Sequence, residues 1–263
     1  MKIVVFDLDE TLGYFTQYGI FWDSLINYLT IKNKEKLTQN DFNLVLDLYP
    51  EFLRPNIINI LNYLKNKKKT NCCDKMMIYT NNTGSREWIK NIIGYFEKKI
   101  NYKLIDQILA AFKINGKRLE LCRTTHNKTH KDFIKCTKIP VDAEICFMDD
   151  NFFPEMANDN IYYINIKPYT YDLKFKEIIK RFLESGIGKR IVNDDIIEFE
   201  ELMMTHIELF KYLVIEKDEK EYEVDKVLGK HIISHLQLFF NRSTKNRTIK
   251  NRVNKKNRTF KNK

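Results

Sequence analysis

Lys2–Gly13, KIVVFDLDETLG, decides how the rest of the chain is read. An apolar, β-branched run begins almost at the first residue and ends abruptly in Asp7, Asp9 and Glu10. A short run of this kind, without polar alternation, predicts a strand buried on both faces. Lys75–Thr80 (KMMIYT) and Glu144–Met148 (EICFM) have the same character, and each also stops in polar residues. Asn160–Ile166 (NIYYINI) reads as a fourth strand, and Lys103–Phe112 has room for a fifth. Helical patterns lie between them. Asn56–Lys65 is amphipathic, Ser85 caps a helix running to Lys99, and Thr129–Lys138 opens on the capping pattern T-x-x-D. Strands alternating with helices predict an α/β, Rossmann-like fold, a parallel sheet with helices on both faces. Ligands of such sheets bind outside the carboxyl ends of the strands. The polar clusters Asp7–Thr11, Thr80–Thr83 and Asp149–Asn151 all fall there.

The 263 residues suffice for one full-sized domain with a small appendage. With 43% hydrophobic and 13% aromatic residues, the composition excludes a disordered or fibrous protein. No apolar run is long enough for a transmembrane helix. The early acids contradict a signal peptide, so the expectation is a cytoplasmic or nuclear protein, not a secreted one. Five cysteines, an odd number without C-x-x-C spacing, suit a reducing compartment. Cys122, His126, His130 and Cys136 have zinc-like spacing but read as core or surface residues, because Cys136 falls on an expected core helix.

Charge is unevenly distributed. Residues 241–263 carry ten Lys or Arg and no acid, whereas 1–240 holds 35 basic and 35 acidic residues. The tail therefore accounts for the whole net charge of +10. It is expected to be disordered, and it is a candidate for contact with nucleic acid or another polyanion. Upstream, Lys174–Glu184 reads as a helix that closes the sheet domain and ends at GIG (186–188). Asp195–Val214 carries a helical apolar stripe, and the charged EKDEKEYEVDK separates it from a second amphipathic helix, Val227–Phe240. The expected organisation is a sheet domain over 1–188, a helical hairpin over 189–240 and the basic tail over 241–263.

Asp7 and Asp9 sit two apart where a strand ends. Two carboxylates turned into one pocket repel, so a cation must offset them or one must hold a proton. Hard carboxylate oxygens on a short loop suit Mg²⁺. Asp149 and Asp150 bring further negative charge to another strand end. With the hydroxyl of Thr80 and a nearby lysine, the set suggests metal-assisted phosphoryl transfer through an aspartyl-phosphate.

FDLDETLG, IYTNN and ICFMDDN, in this order and each after an expected strand, resemble motifs I, II and IV of the haloacid-dehalogenase (HAD) superfamily of phosphatases. The LRP at 53–55 further resembles the C-terminal-domain phosphatase-like (NLI-interacting-factor) branch. The resemblance covers roughly residues 1–185. It implies that Asp7 is the nucleophile and that Asp9 is the acid and base whose main-chain carbonyl also binds Mg²⁺. It further implies that Thr11 supports the loop, and that Thr80 with the amides of Asn81 and Asn82 holds phosphate. Asp150 would be the direct metal ligand, with Asp149 acting through water or orienting it. For the motif III lysine, Lys128 just before the Thr129 cap is favoured, with Lys131 in the first turn as the alternative.

Gaps of about forty residues between Thr11 and Pro55 and about forty-five between Asn82 and Lys128 leave no room for a large cap domain. An open site admits a phosphoprotein, the first choice of substrate. A nucleic-acid terminal phosphate comes second and a small phosphometabolite third. The non-enzymatic alternative is a vestigial HAD domain serving as a scaffold.

Overall fold

The computed structural model describes residues 1–193 and 195–242. The basic tail from 243 onward, expected to be disordered, lies outside the described residues. A five-stranded parallel sheet forms the centre, built from β1 (Lys2–Phe6), β2 (Lys75–Tyr79), β3 (Gln107–Leu109), β6 (Glu144–Asp149) and β7 (Ile161–Asn165). Its order is β3-β2-β1-β6-β7. The chain moves outward from β1 through β2 to β3, then crosses to the other side of β1 for β6 and β7. The order therefore reverses between β1 and β6, and a crevice opens there at the carboxyl ends. A separate two-stranded antiparallel hairpin pairs β4 (Lys113–Ile114) with β5 (Lys117–Arg118).

Register explains why three distant polar clusters meet. Phe6 is paired with Ile78 on one side and Met148 on the other. All three central strands therefore end at the same level. Side chains alternate across the sheet. Val4, Phe6, Met76, Ile78, Cys146 and Met148 belong to one core cluster, and Ile3, Val5, Met77, Tyr79, Ile145 and Phe147 belong to another.

The larger cluster is covered by α1 (Thr16–Ile31), α2 (Gln39–Leu46), α3 (Ile57–Lys69), α4 (Arg86–Ile100) and α6 (Phe175–Glu184). The smaller is covered by α5 (His130–Thr137), which contributes Phe133. Each fully buried Phe or Ile here contributes about 1.5–3 kcal/mol. Ser85 caps α4 by accepting from the Trp88 amide, and Thr129 caps α5 by accepting from the Asp132 amide. Both caps lie where the sequence places them.

The C-terminal region departs from expectation in detail. The helix expected over Lys174–Glu184 is α6, which ends just before GIG as expected, but GIG itself opens a further helix, α7 (Gly186–Val192), whose Gly188 amide donates to the Ser185 hydroxyl. A Cβ on Gly188 would fall 1.8 Å from the Phe182 carbonyl oxygen, so only glycine fits that turn. The charged stretch expected to be a separator holds the start of α9 (Glu219–Asn241), which runs eight residues further upstream than the apolar pattern indicates. Asp218 caps it, and Glu219 and Glu221 favour its positive N-terminal end. The other helix of this region, α8 (Ile196–Glu208), packs on α1 and α6, while α9 packs on α3. Phe199, Met203, Ile232, Leu236 and Phe239 join the same core cluster as β1. No helix among the described residues is long and apolar enough to cross a membrane.

The cysteines also depart from expectation. Cys122 and Cys136 form a disulfide, the opposite of what a reducing compartment leads one to expect. The loop before α5 doubles back along that helix and brings the two Cα atoms within 5.2 Å. A spacing of 14 residues does not reveal such a return.

Candidate active site

Phe6 is the last residue of β1, and the chain then turns sharply. Glu10 adopts a left-handed φ of 56°, unusual for a residue with a Cβ. Arg54, buried at 1% exposure, holds this loop by donating to the carbonyls of Thr11 (2.6 Å) and Glu10 and to that of Lys167 at 2.8 Å. Gly13 closes it. A Cβ there would sit 2.5 Å from the Phe52 carbonyl oxygen. The strained turn is thus fixed from outside, as functional loops commonly are.

Lys128 occupies the centre of the site. Its ammonium group is buried at 1% exposure, bonded to Asp7 Oδ1 and, at 2.6 Å, to Asp149 Oδ2. The structure brings Lys128 into the cluster and leaves Lys131 exposed on α5. Asp149 Oδ1 accepts from the Asn151 amide at 2.9 Å, so both of its oxygens are engaged. Asp150 is partly exposed and is tied to Thr11, whose hydroxyl donates to Asp150 Oδ1 at 3.1 Å. The same hydroxyl accepts from the Asp150 amide at 3.2 Å. Asp7, Asp149 and Asp150 each offer an oxygen within 4.8 Å of the others.

Asp9 points elsewhere, accepting from the Asn82 side-chain amide at 2.7 Å. Burial pushes its carboxyl up to about 6, with Asn82 pulling down and the charge of Asp7 adding to the rise. Burial also raises Asp149, against the pull of Lys128, and raises Asp150. Across the crevice, the Thr80 hydroxyl accepts from the Asn82 amide at 2.9 Å, and Asn82 Oδ1 accepts from the Gly84 amide at 2.8 Å. The Asn82 amide is therefore already occupied, whereas the resemblance gives it to phosphate.

Nothing in the sequence marks Arg123, yet it links the two loops that matter. It is fully buried and donates to the carbonyls of Thr80, Ala110 and His126 and to Asn81 Oδ1 at 2.8 Å. One guanidinium thus joins the Thr80–Asn82 turn to the segment carrying Lys128. Asn165 likewise donates to the carbonyls of Asp149 and Asp150. Both roles depend on contacts between residues far apart in sequence, so no local signal could announce them.

Asp7, Asp9, Thr80, Asn81, Asn82, Lys128 and Asp150 line one cavity of about 760 Å³ that is open to solvent. Its rim includes Trp88, Phe153 and Phe210. Family models, curated proteins and solved structures yield no match to this chain.

Proposed function

We propose that this chain is a Mg²⁺-dependent phosphatase of the HAD type, hydrolysing phosphate monoesters through an aspartyl-phosphate on Asp7. The observation that carries the reading is the buried Lys128 ammonium held between Asp7 and Asp149, where β1 and β6 end side by side. An ammonium has three N–H groups, and two are committed to carboxylates. The third can meet a phosphate oxygen brought to Asp7.

The donor set suits a small hard cation. Asp7 and Asp149 share a single ammonium, and Asp150 brings a third carboxylate oxygen within 4.8 Å of theirs, which leaves a surplus of negative charge. Asp7, Asp150 and the main-chain carbonyl of Asp9 would hold the ion, with Asp149 orienting Lys128. Bound Mg²⁺ supplies charge neutralisation that lets a phosphate approach these carboxylates.

The residues then divide the work. A carboxylate oxygen of Asp7 forms a bond to phosphorus as the ester bond breaks, and Asp9 gives its proton to the departing oxygen. Asp9 next takes a proton from water, whose oxygen bonds to phosphorus and releases inorganic phosphate and free Asp7. A carboxyl raised to about 6 is suited to both steps near neutral pH. Thr80 and Lys128 face the phosphoryl oxygens, where charge develops. The open cavity favours a macromolecular substrate, a phosphoprotein before a nucleic-acid end. The direct test is p-nitrophenyl phosphate turnover with Mg²⁺, with EDTA as control. Turnover that needs Mg²⁺ supports the reading, and its absence with intact fold refutes it.

A further inference from the structure

A second cavity of about 680 Å³ opens beside the catalytic one, between α1 and the start of α4. The two share Gly19, Gly84 and Trp88, so the second adjoins the first as a trough with Trp88 as the common wall. Trp22, Ile26 and Leu37 supply apolar surface along it. Its floor is rigid. Trp88 lies tilted against Tyr18 and edge-on to Phe42, and Trp22 lies edge-on to Phe42 with centroids 4.9 Å apart.

The charges along the trough decide the class of occupant. Asp23 and Glu87 stand against Lys34 and Lys36, and Lys34 is already bonded to the Ile191 carbonyl. A nucleic-acid backbone needs an excess of cations to offset its phosphates, and this trough has none. An apolar wall with balanced charges instead matches a polypeptide, whose backbone is neutral and whose side chains can bury apolar surface. Ile26, 43% exposed, and the half-buried Trp88 are surfaces such a side chain would cover.

We infer that the trough between α1 and α4 seats the polypeptide flanking the phosphorylated residue of the substrate, anchored by a large apolar side chain within a few residues of it. The inference rests on the phosphatase reading for its chemistry, but occupancy of the trough can be measured without turnover. The chain contains two tryptophans, and both line this trough. Intrinsic fluorescence therefore reports directly on its occupancy.

The experiment compares two phosphoserine peptides, one with Leu or Phe near the phosphoserine and one with Gly at those positions. They are assayed on the full chain and on Ile26→Glu and Ile26→Ala, alongside p-nitrophenyl phosphate and a 5′-phosphorylated oligonucleotide. The apolar peptide is expected to show kcat/KM about tenfold above the glycine peptide, expressed in KM, as burial of one large side chain implies. Ile26→Glu should erase that preference and Ile26→Ala reduce it, while p-nitrophenyl phosphate, which carries no flanking polypeptide to fill the trough, reports the chemistry alone. The apolar peptide should also give a saturable tryptophan signal that Ile26→Glu removes. Equal kcat/KM for both peptides, or a preference for the oligonucleotide, would overturn the inference. If no phosphate ester is turned over, the phosphatase reading falls, and the fluorescence titration still decides whether the trough takes a peptide.

Discussion

The two ends of β1 each carry a lysine beside them, and the two lysines are treated in opposite ways. At the amino end, Lys2 Nζ donates to the carbonyls of Phe239, Phe240 and Arg242 at 2.9–3.1 Å. These are the last acceptors of α9, the negative end of the helix dipole, and they satisfy all three N–H groups. At the carboxyl end, Lys128 Nζ meets two carboxylates and keeps one N–H unspent, while Asp150 and Asp9 remain close by. One arrangement is saturated in hydrogen bonds and holds a single cation against a helix end. The other is under-filled and acidic. Saturation ties an element in place, whereas a surplus of charge at a fixed position creates a demand for a ligand.

Five variants test that contrast, beginning with the largest effect. Asp7→Asn removes the proposed nucleophile and should lower p-nitrophenyl phosphate turnover by at least about 10⁴-fold while far-UV circular dichroism stays native. Activity within a few-fold of wild type would end the covalent mechanism. Lys128→Ala should cost about 10²-fold or more in kcat, because a positioned charge at the transferring group is lost. Lys131→Ala, on the exposed face of α5, should change little in the same assay. The reverse pattern would move the positive charge of the mechanism to Lys131.

The fourth variant concerns the acidic surplus. Mg²⁺ should raise the melting temperature by a few degrees at concentrations well above its Kd, since a ligand of the folded state alone stabilises it by mass action. Asp150→Asn should abolish that shift, read by differential scanning fluorimetry. A shift of equal size in the variant would show that Asp150 holds no ion. The smallest effect on turnover belongs to the saturated end. Lys2→Ala breaks three hydrogen bonds of about 1 kcal/mol net each, and should lower Tm by several degrees without altering kcat. A kcat change there would mean that the two ends of β1 are coupled.

Much of the sheet was legible because its signals are local. KIVVF, KMMIY and EICFM are apolar on consecutive positions, as strands covered on both faces must be, and Ser85 and Thr129 announce helix starts through their own side chains. The helices α1 and α2 were not legible. Most of α1 is buried, including Gln17 and Ser24, so it lacks the polar face that marks a surface helix. The beginning of α9 was hidden for the opposite reason. Its first turns are charged throughout, and Asp225 is buried only because Lys217 and Lys167 reach it from neighbouring segments.

The sequence by itself determined that acids and hydroxyls cluster at the ends of buried strands, because strand burial and abrupt polarity are properties of adjacent residues. It also determined that the positive excess lies wholly in 241–263. Only the tertiary structure decided that Lys128 rather than Lys131 enters the cluster, since that depends on which way the turn before α5 faces. Only the tertiary structure showed that Arg123 joins the Thr80 turn to the Lys128 segment, and that Asp9 answers to Asn82 rather than to the three acids of the cluster. The physical reason is common to all three. Hydrogen-bond partners are chosen by distance in space, and parallel strands bring together at one edge residues that the chain holds more than a hundred positions apart.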